Sequence, residues 1–264
     1  MPAVDEVNPN PGKRRTPVTL FRPVRTRRTV ENVVAQIVEH LKDGELDEGD
    51  ALPGERQLAT QMEVSRRTIR QAIGVLADAG VLSVQPGPSG GIRVRSIWLP
   101  AEIAEQGVAL SPDGVIEVLE ARRTIEPRVA QLAALRATDA DFAAMRSAIE
   151  LQRNVASDRD KLNQANALFH RAMWRSARNS ALEAAMRLIW DSLEVALDMT
   201  SRTDTDHEDS LRLHEETLAA LRKGKPNGVE AAMDAHLRYL EDICEDVLGR
   251  DLHRPAPVFL RADT

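Results

Sequence analysis

The chain has 264 residues, 42% hydrophobic but only 3% aromatic, with one cysteine and a net charge of −6. That length admits one large domain or two ordinary ones, and a composition rich in Ala, Leu, Arg and Glu favours helix over β-sandwich. A lone Cys244 excludes an intrachain disulfide, no run approaches the roughly 20 apolar residues of a bilayer span, and no signal-peptide core opens the chain, so a cytoplasmic protein with no membrane partner is expected.

Residues 1–28 are rich in Pro and Arg and read as a flexible basic arm, with seven basic residues and no acid between Lys13 and Arg28. The charge is uneven: residues 1–96 carry +2 and the remainder −8. A basic front on an acidic body fits a protein whose front alone meets phosphate. From Thr29, apolar residues at Val30, Val33, Val34, Ile37, Val38 and Leu41 follow helical spacing until Gly44. An acidic loop, Glu45–Leu52, follows. Pro53-Gly54-Glu55 opens a second, shorter helix, and Ser65 is a fitting N-cap for a third that runs to about Ala79. Val81–Val84 and Ile92–Val94 read as short strands around a Gly- and Pro-rich tip. Three helices and a two-stranded wing over residues 29–96 make a winged helix-turn-helix.

The third helix carries the chemistry. Ile69, Ala72, Ile73 and Leu76 form its inner face, while Arg66, Arg67, Arg70 and Gln71 lie opposite. Arginines on adjacent turns repel one another, so an unpaired triple-Arg face wants an anion, or a guanine edge in a major groove. The alternative is a solvated helix face.

These residues sit within blocks that resemble a family. Leu52-Pro53-Gly54-Glu55-Arg56-Gln57-Leu58-Ala59, Val64-Ser65-Arg66-Arg67-Thr68-Ile69-Arg70-Gln71-Ala72 and Leu76–Leu82 look like the GntR signature. The resemblance implies a homodimer that binds a palindromic double-stranded DNA operator. It implies DNA contacts from Arg56, Ser65, Arg66, Thr68 and Arg70, with Gly87 at a wing tip near the minor groove. Arg67 stands where a small polar residue is commoner.

Residues 97–112 read as a linker with a broken helical turn, and residues 113–249 as about six amphipathic helices, so the whole chain is mainly α. Residues 250–264 read as a flexible tail. Three histidines, His170, His214 and His236, fall on apolar faces of separate helices, and Asn166 precedes His170 by one turn. Each could be a satisfied core residue; together they could hold a metal through imidazole nitrogen. Arg122 shares an apolar face with Val118, Ile125 and Val129. A charge there must pair, either with Glu126 one turn on or with an acidic ligand. Trp190 is a wall residue for such a ligand or part of the core.

The rear segments are similar to the FCD ligand-binding domain of the FadR subfamily of GntR regulators. Glu120–Pro127, Asn166, Phe169-His170, Asn179, His214 and Ala235-His236-Leu237 carry that resemblance. It implies a helical bundle around a cavity, with a divalent metal on Asn166, His170, His214 and His236. Asn in place of the more usual Asp removes a negative charge and weakens the site. Zinc suits three imidazoles and an open position; nickel or manganese would need further oxygen ligands. The expected effector is an organic or sugar acid, or else a fatty acyl ligand. The leading function is a ligand-responsive repressor. The alternative is a three-histidine metal hydrolase with an accessory DNA-binding domain.

Overall fold

The computed structural model describes residues 29–85, 91–104, 112–155, 158–198 and 204–250. The expected arm, wing tip with Gly87, part of the linker and the tail lie outside these residues.

The front domain is built from α1 (Thr29–Lys42), α2 (Glu55–Gln61) and α3 (Arg66–Asp78), with strands β1 (Ala51–Leu52), β2 (Leu82–Gln85) and β3 (Gly91–Val94). The apolar stripe Val33, Ile37, Val38 and Leu41 of α1 packs on Ile69, Ala72, Ile73 and Leu76 of α3, and all eight are buried. α3 starts where Ser65 Oγ accepts the Thr68 backbone N–H at 3.1 Å. It gives way at Gly80, whose φ of +76° is a conformation a side chain resists. The sheet has three strands rather than the expected two, in the order β1-β3-β2, all antiparallel. β1 pairs Ala51 with Arg93 and Leu52 with Ile92. Two residues are too short to show alternation, so the segment read as the end of an acidic loop.

A short helix α4 (Ala101–Ala104) precedes six long ones: α5 (Pro112–Arg136), α6 (Asp139–Asn154), α7 (Arg159–Ser176), α8 (Ser180–Asp198), α9 (Asp204–Lys223) and α10 (Pro226–Leu248). Thr138 caps α6 through a reciprocal capping box with Asp141, and Asp158 caps α7 through the Lys161 N–H. α5 packs against α7, α8, α9 and α10, so one helix faces most of the bundle. Phe169, Trp174, Trp190, Met145, Met173 and Met186 are fully buried in this second core.

The two units meet through α1 and α7. Gly44 ends α1 with φ of +63°, and a Cβ there would stand 3.3 Å from Leu168 of α7. Asp43 is buried against Arg171, whose Nη1 lies 2.8 Å from Asp43 Oδ1 and 3.0 Å from Glu39 Oε1. Arg187 of α8 pairs with both acids as well, and Arg175 donates to the Asp43 carbonyl. Beside this cluster, the Gln164 amide accepts from the Leu99 N–H and donates to the Leu99 carbonyl, both at 2.9 Å.

Candidate functional site

At the front, α2 and α3 hold the expected DNA-reading side chains on one exposed surface. Arg56, Ser65, Arg66, Arg67 and Arg70 are exposed, and Thr68 is half-buried. Ser65 and Thr68 hydroxyls lie 2.8 Å apart at the start of α3. The expectation of an unpaired arginine face needs correction. Glu55, first residue of α2, accepts from Arg70 Nε at 3.1 Å and from Arg70 Nη2 at 2.8 Å. Arg66 Nη2 stands 3.7 Å from the same Glu55 Oε2. The Arg70 hydrogen bonds outweigh desolvation and hold the Glu55 carboxyl below its usual range. Arg56 and Arg67 make no ion pair among the described residues. Glu55 escaped the sequence reading because fifteen positions separate it from Arg70.

At the rear, His170 of α7, His214 of α9 and His236 of α10 converge, with potential ligand nitrogens within 4.8 Å of one another. Ring centroids are 4.9 Å apart for His170–His236, 5.0 Å for His214–His236 and 5.4 Å for His170–His214. Their outer nitrogens are oriented from behind. His170 Nδ1 lies 2.7 Å from Glu126 Oε1, and His214 Nδ1 lies 2.6 Å from Gln152 Oε1. An ionised carboxylate only accepts, so His170 Nδ1 carries the hydrogen and Nε2 presents its lone pair inward. Gln152 donates its Nε2 to Ser210 Oγ, which leaves its oxygen for His214.

His170 Nε2 and His236 Nε2 are 3.1 Å apart. Two imidazole nitrogens about 2.1 Å from one ion, at an angle of about 90–110°, stand about 3.0–3.4 Å from each other. The His170 and His236 nitrogens thus stand at the spacing of two ligands on one ion, and His214 lies near enough to supply a third. Burial pushes His170 and, further, His236 below the ordinary imidazole range. Neutral imidazole is the ligating form. Asn166 is buried one turn before His170 on α7.

Arg122 is buried and bound to Glu126, Nε to Oε2 at 2.6 Å, so the pairing with its neighbour on α5 is present. Its Nη2 also reaches His170 Nε2 at 3.2 Å, and its guanidinium carbon lies 5.2 Å from the Trp190 ring centroid. The charge expected on an apolar face therefore ends at the histidine centre. Burial alone would raise the Glu126 carboxyl, yet Arg122 and His170 hold it well below the carboxylate range. Trp174 Nε1 adds a third donor to Glu126 at 2.8 Å. Trp190 is almost fully buried, its ring 4.8 Å from that of His170, and its Nε1 has no hydrogen-bond partner among the described residues. Thr217 Oγ1, one turn beyond His214, is in the same condition. Trp174, Gln152 and Thr217 were missed from sequence, where they read as ordinary helix-face residues.

Comparisons with known proteins agree over most of the chain. Residues 29–94 match the family described as bacterial regulatory proteins, gntR family, and residues 117–239 match the FCD domain. A protein of Escherichia coli (strain K12), described as a regulator of the L-lactate dehydrogenase operon, is 30% identical over 222 residues, covering 81% of this chain and 85% of that one. The transcriptional regulator LutR of Bacillus subtilis (strain 168) is 26% identical over 77% of this chain and 95% of its own. The Escherichia coli (strain K12) Exu regulon regulator is 29% identical over 80% and 82%. Among solved structures, Escherichia coli McbR/YncC shares the fold, with a TM-score of 0.52 at 18% identity over 84% of this chain and 99% of that one.

Proposed function

Because the chain belongs to the gntR family of bacterial regulatory proteins and carries an FCD domain, we propose that it is a homodimeric repressor released from a palindromic DNA operator by a small acid. Regulators of this family bind DNA through the front domain and an effector through the FCD domain. The relatives are regulators, so the hydrolase alternative is set aside. On the operator, Arg56, Ser65, Arg66, Arg67, Thr68 and Arg70 make the contacts. By the same family resemblance Gly87, outside the described residues, would approach the minor groove.

The observation carrying the effector half is the convergence of His170, His214 and His236 beside the buried Arg122. Asn166 and the three histidines would hold a divalent ion: zinc, or nickel or manganese with added oxygens. Such an ion supplies an open coordination position for a carboxylate oxygen. Arg122 is fixed to Glu126 through Nε, and its Nη2, 3.2 Å from His170 Nε2, would turn to the acid once a metal takes that nitrogen. Trp190 walls the site and offers its indole N–H. A relative tied by its description to an L-lactate dehydrogenase operon favours a short carboxylate over a fatty acyl chain, as do the buried polar groups. Effector binding weakens operator affinity only if the acid binds two dimer geometries unequally.

The test loads the protein with zinc, nickel or manganese, measures bound metal after desalting, and titrates L-lactate and other short acids against a genome-selected operator fragment. Metal should bind wild type and be lost in His170→Ala and His214→Ala. A short acid should release the fragment from the loaded protein and fail with Arg122→Ala. No retained metal overturns the metal site; a loaded protein deaf to every short acid overturns the effector class.

A further inference from the structure

The pairing of Glu55 with Arg70 crosses from α2 to α3, on the surface proposed to meet DNA. Its geometry is side-on: the carboxylate takes the Nε and Nη2 hydrogens of the guanidinium. A guanidinium carries five N–H donors. Two are used, and the adjoining end edge keeps a parallel pair, one hydrogen on Nη1 and one on Nη2. That pair matches the O6 and N7 acceptors of guanine. A carboxylate behind the guanidinium also disfavours a phosphate in front of it, because two anions would then share one cation. Pairing and exposure together therefore leave Arg70 poised for a neutral base edge. Arg66 lies 3.7 Å from one Glu55 oxygen and has no such two-point grip. Arg67 and Arg56 make no ion pair among the described residues and suit phosphate.

We infer that Glu55 is a positioning and specificity residue: it fixes Arg70 so that its free edge reads a guanine, and it keeps that arginine off the phosphate backbone. This rests on the reading of α3 as the base-reading helix. Two simpler roles compete. An acid at the first position of α2 favours that helix end through its dipole. An acid facing DNA can also act as a counter-ion that the operator must displace.

The experiment separates these. Wild-type full-length protein selects duplexes from a random library, and the consensus is then varied one base pair at a time. Binding is measured for wild type, Glu55→Gln, Glu55→Asp and Arg70→Ala, together with affinity for a scrambled duplex and the thermal midpoint. Glu55→Gln should lower discrimination at the Arg70-dependent guanine by about tenfold, while binding to the scrambled duplex stays equal or tightens. Glu55→Asp keeps the charge at the helix start but is one methylene shorter. It should keep the thermal midpoint and still lose discrimination. Unchanged discrimination in Glu55→Gln overturns the proposal. So does tighter consensus binding by that variant, which marks a displaced counter-ion. Full discrimination in Glu55→Asp also overturns it, since charge alone then suffices. If Arg70→Ala alters preference at no position, the reading of α3 itself fails, whatever Glu55 does.

Discussion

Glu126 decides more than its own pairing. It accepts from Arg122, His170 and Trp174 while fully buried, so every one of its neighbours is fixed by it. A buried carboxylate with fewer donors would protonate instead, and His170 would lose the partner that turns its lone pair inward. The imidazoles in turn give the molecule a pH dependence. Burial places His170 and His236 below the ordinary value near 6.5. Below that value the unfolded chain binds more protons than the folded one, so stability is complete above it and falls as pH drops. Metal-free protein should therefore lose stability from pH 6.5 to 5, by up to about 1.4 kcal/mol per pH unit for each histidine. Glu126 stays ionised in the folded protein across this window and adds only a small slope of the same sign near pH 5, where the unfolded carboxyl begins to protonate. Urea unfolding of chelator-treated protein at several pH values checks this, and a flat profile from pH 7 to 5 would refute it.

Helix α7 serves two surfaces at once. Successive residues of a helix differ in direction by about 100°, so His170 turns into the bundle while Arg171 turns toward α1. The Arg171 side chain is 2% exposed and meets Glu39, Asp43 and Asp191. α8 repeats the arrangement, with Arg187 on the same acids and Trp190 against His170. Removing one partner of a buried ion pair typically costs about 3–5 kcal/mol. Arg171→Ala should fall near the lower end, about 3 kcal/mol, because Arg187 still pairs with Asp43. A urea midpoint within experimental error of wild type would show that the cluster adds nothing. Much of this level was legible in advance. Helix breaks at Thr138, Asp158 and Asn179-Ser180 follow from capping chemistry that lies within four residues. The three histidines stood out because they broke apolar stripes. Partners such as Glu39 and Arg187 lie 148 positions apart, and no local pattern links them. β1 was hidden for the opposite reason, being too short to carry a pattern.

At the scale of the molecule, the front and the bundle have separate apolar cores and meet through the charged cluster and the Gln164–Leu99 hydrogen bonds. The basic arm ahead of α1, outside the described residues, adds a contribution that sequence alone suggests. If Lys13, Arg14 and Arg15 meet phosphate, replacing all three with Ala should flatten the salt dependence of operator binding by up to about 0.9 log units for each phosphate left unneutralised. A titration between low and physiological salt measures it, and an unchanged slope makes the arm a bystander. The winged domain and the bundle could be told apart in sequence because apolar period and charge both change near residue 97. How they join could not, since Gln164 and Leu99, or Arg171 and Asp43, are ordinary residues until they meet.

That charged joint bears on whether the parts can be exchanged. A front domain grafted onto the bundle of another regulator would bring Glu39 and Asp43 to a surface lacking Arg171, Arg175 and Arg187. Asp43, buried here against two guanidiniums, would then be an uncompensated anion at the seam. A working hybrid must carry those arginines across with it, or replace the acids with neutral side chains, so the smallest transferable reading head is larger than the winged domain itself.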